Sequence, residues 1–362
     1  MNLESLFDLT GETAILSVGG FLIGIVFGGL AQASKFCLRS AVIEFSQGLL
    51  ASKVAIWLLA FSAAVAATQA LIAFGLLDVT GARQLAARGS LSGSIIGGLM
   101  FGAGMILARG CASRLLVLSA TGNLRALVSG LVLTIVAQTS LRGMLSPARE
   151  TLSELWTVPG GQARDLLSSI NAGPLLGLWL GVLWLACGLW LARRARIGRV
   201  VGASAIGVGL AVAAGWLFTY TVSQSSFSPV QIKSISFTGP SADTLMGLIN
   251  STSLPLVFDT GLVPGVFAGS ILAALMRGEW QVQGFHDGPS MWRYLIGASL
   301  MGFGGMLAGG CAVGAGVTGG AIFALTAWIA LAAMWAGALV THFVVDGKAA
   351  GPVLAKPSIH RI

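Results

Sequence analysis

The sequence is poor in charge. Asp, Glu, Lys and Arg make up 9% of its 362 residues, against 55% apolar residues, where a soluble domain carries roughly 25% charged residues. The deficit runs the whole length at a mean hydropathy of +0.87, so it excludes a soluble fold and places most of the surface against the lipid bilayer. Four cysteines in a chain of this length give no disulfide scaffold. The three histidines, His286, His342 and His360, fall in loops or near the C-terminus, away from the thiols. Zinc sites want four N or S ligands at local spacing, so no metal and no cofactor is expected. The first twelve residues hold Glu4, Asp8 and Glu12 and no cation, which argues against a cleavable signal peptide, whose leading segment is positive. The 21 Lys and Arg form no stripe interleaved with aromatics, so a nucleic-acid partner is not expected. No Walker loop is present, and ATP drive would have to come from a partner protein.

What the chain has instead is apolar runs. A spanning helix needs about 20 such residues. The runs Thr13–Ala33, Val54–Leu77, Gly93–Ala108, Leu124–Leu141, Pro174–Ala192, Val200–Val222, Leu254–Met276, Trp292–Leu307 and Ala321–Val345 predict nine spans. The third and eighth read as short for a full crossing. The fold class is therefore an all-α polytopic membrane protein with about nine transmembrane helices plus short re-entrant helices, in a single membrane domain over 1–362. With nine crossings the termini lie on opposite faces. Fifteen cations fall on the side of the C-terminus and six on the other, namely Arg83, Arg88, Arg142, Arg149, Arg164 and Lys233. The positive-inside bias then predicts an external N-terminus and a cytoplasmic C-terminus. Cys187, midway along the fifth span, reads as a small buried hydrophobe.

The chain also repeats itself. Ile96–Ala112 and Ile296–Ala312 share nine of seventeen residues at an offset of 200. The neighbouring spans fall over one another at the same offset, one on six, two on seven and four on nine. Equivalent spans are an odd number of crossings apart, so the halves are expected upside down relative to each other, an inverted repeat of the kind common in transporters. This divides the chain into a first half at 13–142, an external loop and connector helix at 143–199, a second half at 200–346 and a cytoplasmic tail at 347–362. Glycine triplets at every fourth position, Gly20-Gly24-Gly28, Gly173-Gly177-Gly181 and Gly261-Gly265-Gly269, predict close helix packing.

Both copies of the repeat end in a Gly-Cys turn, Arg109-Gly110-Cys111 and Gly309-Gly310-Cys311. Irregular backbone at membrane depth survives only inside protein or along a cavity, and glycine gives the reversal at little steric cost. A half-helix, a turn and a second short helix beginning near Ala112 or Ala312 are expected, and a helix N-terminus at that depth suits an anion. A third cysteine, Cys37, lies at the inner end of span one between Lys35 and Arg39, where cations attract an anion or activate a thiol. The corresponding loop of the second half, 223–253, has no cysteine and offers hydroxyls, among them Ser234, Ser236 and Thr238. The three motif cysteines are expected at different depths, which argues against a disulfide between them. The candidate substrate-binding residues are Cys37, Cys111, Cys311, Gly110, Gly310, Arg109 and Lys35, and none is expected to be catalytic. For the external loop 142–171, solvation of the surface is the simpler expectation.

Three segments, Ser-Lys-Phe-Cys-Leu (34–38), Phe-Gly-Ala-Gly-Met-Ile-Leu-Ala-Arg-Gly-Cys-Ala-Ser (101–113) and Met-Gly-Phe-Gly-Gly-Met-Leu-Ala-Gly-Gly-Cys-Ala-Val-Gly-Ala-Gly (301–316), carry a resemblance to the YeeE/YedE family of bacterial inner-membrane sulfur-transport proteins. The resemblance implies an hourglass-shaped helical permease that takes up thiosulfate, with Cys37, Cys111 and Cys311 meeting the substrate sulfur in succession. It also implies a bacterial inner-membrane location and leaves room for a cytoplasmic sulfur-carrier protein as partner. The family includes carriers of other sulfur and selenium compounds, and no motif here separates them. The alternative class is a membrane sulfurtransferase, in which a thiolate beside a cation attacks the substrate and keeps a persulfide. The repeated motifs speak against a purely structural subunit.

Overall fold

The computed structural model of the chain describes residues 11–170, 173–226, 228–250, 256–284, 288–345 and 347. The expected tail beyond 347, His286, His360 and the start of the seventh span at Leu254 lie outside the described residues. Those residues are overwhelmingly helical, and nine stretches are long and apolar enough to cross a membrane. The chain is a multi-pass membrane protein. In order, α1 spans Glu12–Ser34, α2 Leu38–Ser46, α3 Ser52–Ala73, α4 Leu91–Leu107, α5 Ala112–Ala120, α6 Leu124–Arg142 and α7 Ser146–Glu154. The second part holds α8 Pro174–Arg194, α9 Arg199–Ser225, α10 Thr238–Asn250, α11 Phe258–Met276, α12 Gly288–Leu307, a seven-residue π-helical segment Ala312–Thr318, and α13 Leu325–Val345. The expected spans correspond to these helices within a few residues, with two corrections. The eighth, α12, begins at Gly288 and has 20 residues, enough for about 30 Å, so it is not short. The ninth begins at Leu325, because Phe323 adopts a left-handed conformation (φ 52°) and breaks the run from Ala321.

Glycine sets the frame. A Cβ on Gly20, Gly24 or Gly28 of α1 would overlap the backbone of Phe258, Leu262 or Val266 on α11, and a Cβ on Gly261, Gly265 or Gly269 of α11 would overlap the backbone of Ser17, Phe21 or Ile25 on α1. Two of the three glycine triplets therefore interlock with each other, and the two helices run side by side in the same direction. Lipid tails are as apolar as the side chains, so close backbone approach supplies the association that hydrophobic burial cannot. The third triplet sits differently. Gly177 and Gly181 of α8 receive Gln69 and Ala66 of α3.

The α4–α12 crossing is reciprocal. Gly97 packs on Gly304 and Ala308, while Gly297 packs on Gly104 and Ala108, so moving Gly97 forward by 200 and its two partners back by 200 turns the first set of contacts into the second. The helices run antiparallel there. The wider packing exchanges in the same manner. α1 lies on α11 and α9 on α3, and α4 lies on α13 and α12 on α6.

Polar contacts sort the loops onto two ends. At one, Lys35 pairs with Glu279 (3.6 Å), Arg277 donates to the Ala33 carbonyl (3.0 Å), and the Arg125 guanidinium lies 4.8 Å from the Tyr294 ring centroid. At the other, Arg88 donates to Thr157 Oγ1, Lys233 pairs with Asp259, and Ser226 donates to Glu12. The six cations assigned to the minor side all belong to this second end.

The segment 143–170 packs down on the bundle instead of merely solvating its surface. A two-residue ladder pairs Gly89 with Val158, and the Leu166 N–H donates to the Phe323 carbonyl. Arg164 is buried and donates to the Ala87 carbonyl (2.7 Å) and to Thr326 Oγ1 (2.6 Å). Burial, with Arg83 nearby, lowers its pKa, yet a guanidinium stays charged at neutral pH. Its bonds pin the segment to the start of α13. Arg164→Met is expected to raise amide hydrogen exchange across 157–166 by roughly tenfold or more while the spanning helices keep their protection, since local opening is separable from global unfolding.

Candidate functional site

Each of the three motif cysteines stands immediately before a short helix. Cys37 is the N-cap of α2, Cys111 of α5, and Cys311 of the π-helical segment. All three are buried, to 7%, 1% and 1% exposure, at depths where a soluble protein would place a leucine. The local geometry recurs. Gly314 N–H donates to Cys311 Sγ at 3.4 Å, and the backbone N–H groups of Ser40 and Arg114 face the Cys37 and Cys111 sulfurs at the same offset of three residues. That is the position of a capping acceptor, which Ser, Thr, Asp or Asn fills better than a thiol. Capping alone does not account for cysteine at all three sites.

The turns that present them use left-handed backbone, though not where the glycines of the motif suggested for the first. Lys35 (φ 54°) precedes Cys37, Arg109 (φ 56°) precedes Gly110-Cys111, and Gly309 (φ 82°) precedes Gly310-Cys311. Gly110 and Gly310 serve close packing. A Cβ on Gly110 would crowd the Leu115 side chain, and one on Gly310 would meet the Ala315 nitrogen at 2.8 Å.

Cys37 and Cys111 come together. Their thiols lie close enough to act on each other, and Cys111 Sγ is 3.4 Å from Ser113 Oγ. This corrects the expectation of different depths for that pair. The turn after α4 carries Cys111 to the level of the turn after α1, because both short helices start from the end of a bent span. Both thiols are free. Arg114 lies close enough to act on Cys37 and donates to Gln32 Oε1 at 3.2 Å. Buried Gln32 in turn donates to Glu279 (2.9 Å), the partner of Lys35. The cation facing the thiols is thus Arg114. The Lys35 and Arg109 side chains are exposed, and Arg109 rests over the Tyr294 ring at 5.9 Å from its centroid. Arg114 was legible only as one more loop cation, since its approach to Cys37 depends on the turn at Arg109.

Cys311 has different neighbours. A Cβ on Gly314, the residue that donates to it, would overlap Ser236 Oγ. Thr318 Oγ1 donates to the Ile235 carbonyl (2.6 Å), and Gln84 Nε2 to the Gly314 carbonyl (3.0 Å). The buried Thr238 hydroxyl has no hydrogen-bond partner among the described residues. Of the hydroxyls expected from the second half, Ser236 is present at this turn, and Thr238 lies against Gly305 of α12. Ser234 turns away to the Val212 carbonyl (2.6 Å). Phe237, 200 positions after Cys37, is buried, with its ring 5.2 Å from that of Phe27 on α1. Cys187 is exposed on α8 and takes no part, contrary to its expected burial.

A cavity of about 310 Å³ reaches Gly309 and Gly310 from the end that carries the minor set of cations, and Arg83, Arg142 and Lys233 line it. A second, of about 300 Å³, meets Gly309 from the other flank and is lined by Arg83, Arg88, Arg149 and Arg164. All six cations of that end therefore border the approach to the Cys311 turn. Summed fields of this kind raise the local concentration of an anion. Counting loop cations groups these residues on one side, but Arg149 and Arg164 reach the approach only because segment 143–170 folds down onto the bundle.

A family model described as sulphur transport matches residues 33–340, which contain all three motif cysteines. Among characterised relatives, the thiosulfate transporter TsuA of Spirochaeta thermophila is 30% identical over 337 residues, covering 86% of this chain and 93% of the relative. The thiosulfate transporter TsuA of Escherichia coli is 24% identical over 346 residues, covering 91% and 94%.

Proposed function

The chain belongs to the sulphur-transport family, and we propose that it is a permease that carries thiosulfate, or a closely similar small sulfur-containing anion, across the bacterial inner membrane into the cytoplasm. The observation that carries this reading is the threefold placement of a buried thiol at the N-terminus of a short helix. Thiosulfate is a dianion with a soft terminal sulfur. A helix N-terminus offsets its charge, and a thiol offers a weak donor on a polarizable atom. Weak sites in series suit passage, because a deep well would stop release.

The path runs from the cation-lined cavities past Gly309-Gly310 to Cys311, and on to the Cys37–Cys111 pair beside Arg114. Gly110 and Gly310 keep the turns compact, while Lys35 and Arg109 supply positive potential at the exit. The N-terminus lies outside and the C-terminus inside, where a sulfur-carrier protein would accept the product. The inverted repeat enters this reading as its architecture. It is supported by the reciprocal α4–α12 crossing and by the exchange of packing partners between the halves.

The adjoining Cys37 and Cys111 thiols are what favour a sulfurtransferase as the second reading. There a thiolate would attack the terminal sulfur, keep it as a persulfide and release sulfite. Uptake of thiosulfate carrying distinct isotopes on its two sulfur atoms, into proteoliposomes of the purified protein, separates the two. Equal arrival of both labels inside is the expected result. Retention of the terminal sulfur on the protein with sulfite left outside would establish the transferase instead.

A further inference from the structure

The cavity leading to Gly309 and Gly310 holds two carboxylates among its cations. Asp243 sits on α10 and Asp259 in the first turn of α11, and both line the cavity with Arg83, Arg142 and Lys233. Asp259 is ion-paired, its Oδ2 lying 2.6 Å from Lys233 Nζ. Its other oxygen, Oδ1, is buried and has no hydrogen-bond partner among the described residues. Asp243 makes no ion pair among the described residues. The charged groups that act on it are Asp259 from α11, Arg142 from α6, Lys233 from the segment before α10, and Arg83 from the turn at 83–86. Glu12 of α1 faces the adjoining groove, where it accepts from Ser226.

The charges in this space are unequal to the load. Three cations and two carboxylates leave one net positive charge. A divalent anion that enters leaves one net negative charge in a cavity of about 310 Å³, where desolvation makes uncompensated charge unfavourable and favours neutralising a group by protonation. Asp259 is already ion-paired with Lys233, so Asp243, with no ion pair among the described residues, is the carboxylate placed to respond. Burial and the neighbouring Asp259 already raise the Asp243 carboxyl above its usual range.

We propose that the cavity is a proton-linked anion site, in which Asp243 takes one proton from external water when a divalent anion binds beside Arg83, Arg142 and Lys233. The inference rests on the transport reading for the identity of the anion and on the cavity's own charge balance for the proton. The proton is released again when the anion leaves, so the site senses external acidity and anion together. The sign follows from linkage. The bound state holds one more proton than the free state, so affinity rises as pH falls, by up to about tenfold per pH unit for one linked proton.

The test uses the full chain in lipid nanodiscs and titrates it calorimetrically with sodium thiosulfate, and separately with sodium sulfate, in two buffers of different ionisation enthalpy. The wild type is expected to take up close to one proton per thiosulfate bound and to bind more tightly at lower pH. Asp243→Asn is expected to bind thiosulfate with no proton uptake and with affinity independent of pH. Asp243→Glu, which keeps both the carboxyl group and the charge balance of the cavity, is expected to keep the proton uptake, and it serves as the control should Asp243→Asn fold poorly. Thiosulfate binding without proton uptake by the wild type overturns this inference and leaves the transport reading standing. So does proton uptake that persists in Asp243→Asn. Binding of sulfate but not thiosulfate overturns the thiosulfate reading, while the proton count measured with sulfate still decides the inference.

Discussion

Cys111→Ser is expected to lower thiosulfate uptake into proteoliposomes by at least about tenfold, an effect of about 1.4 kcal/mol on the limiting step, without unfolding the protein. Serine is a better N-cap than cysteine, so α5 and its turn should persist, and the change removes little more than the soft sulfur at a site exposed to only 1%. A hydroxyl is a harder and smaller partner for the terminal sulfur. Cys37→Ser should have a similar effect, and the double variant should lose less than the product of the two single losses, because the thiols adjoin and contacting groups are not independent. Cys187→Ser, at an exposed position on α8, should transport as the wild type does. The measurement is the initial rate of radiolabel uptake, normalised to the folded protein recovered by size exclusion. Normal uptake by both Cys111→Ser and Cys311→Ser would remove the thiols from the mechanism.

Gly265→Leu is expected to damage the fold severely. A Cβ there would overlap the Phe21 backbone, which no rotamer change can relieve, and a leucine adds three more carbons behind it. Overpacking a close contact typically costs about 1–3 kcal/mol, and more when backbone must move. In a membrane, α1 and α11 would lose the close approach that holds them together. The expected outcome is loss of the monodisperse peak in detergent, or a fall in melting temperature of at least about 5 °C. Gly130→Leu provides the comparison, since nothing lies within 4 Å of a Cβ at that helix position, and it should leave the melting temperature within about 2 °C.

Much of this arrangement was legible in the chain because bilayers impose one rule at long range. Apolar runs mark the spanning helices, and the offset of 200 ties Gly110-Cys111 to Gly310-Cys311 in the sequence itself. The short helices after Lys35 and before Phe258 were harder. Leu38–Ser46 mixes Arg39, Ser40, Glu44 and Ser46 with its apolar residues, so hydropathy reads it as loop. The left-handed residue of the first Gly-Cys turn was misplaced for a local reason. Glycine is the usual bearer of positive φ, but here Arg109 carries it and Gly110 is kept small by Leu115. The meeting of Cys37 with Cys111 was not legible, because it depends on how far each span runs before it bends. The arrival of Arg149 and Arg164 beside the other four cations depends on Arg164 anchoring a segment whose composition resembles ordinary surface.

The interlocked glycines carry a kinetic consequence. α1 and α11, like α4 and α12, fall in different halves of the repeat expected from the sequence; glycine meets backbone at both contacts, with Met100, Leu107 and Met301 side-chain atoms also close at the second. A carrier that swings one half past the other needs a seam that can slide, and these two contacts rivet the seam shut. What remains free to move is small: the cysteine-tipped turns and the few side chains about them. On the transport reading proposed above, such a molecule would cross its barrier by local yielding at fixed outer dimensions. Its throughput should therefore be insensitive to cross-links placed between α1 and α11, which would halt any protein that works by rocking.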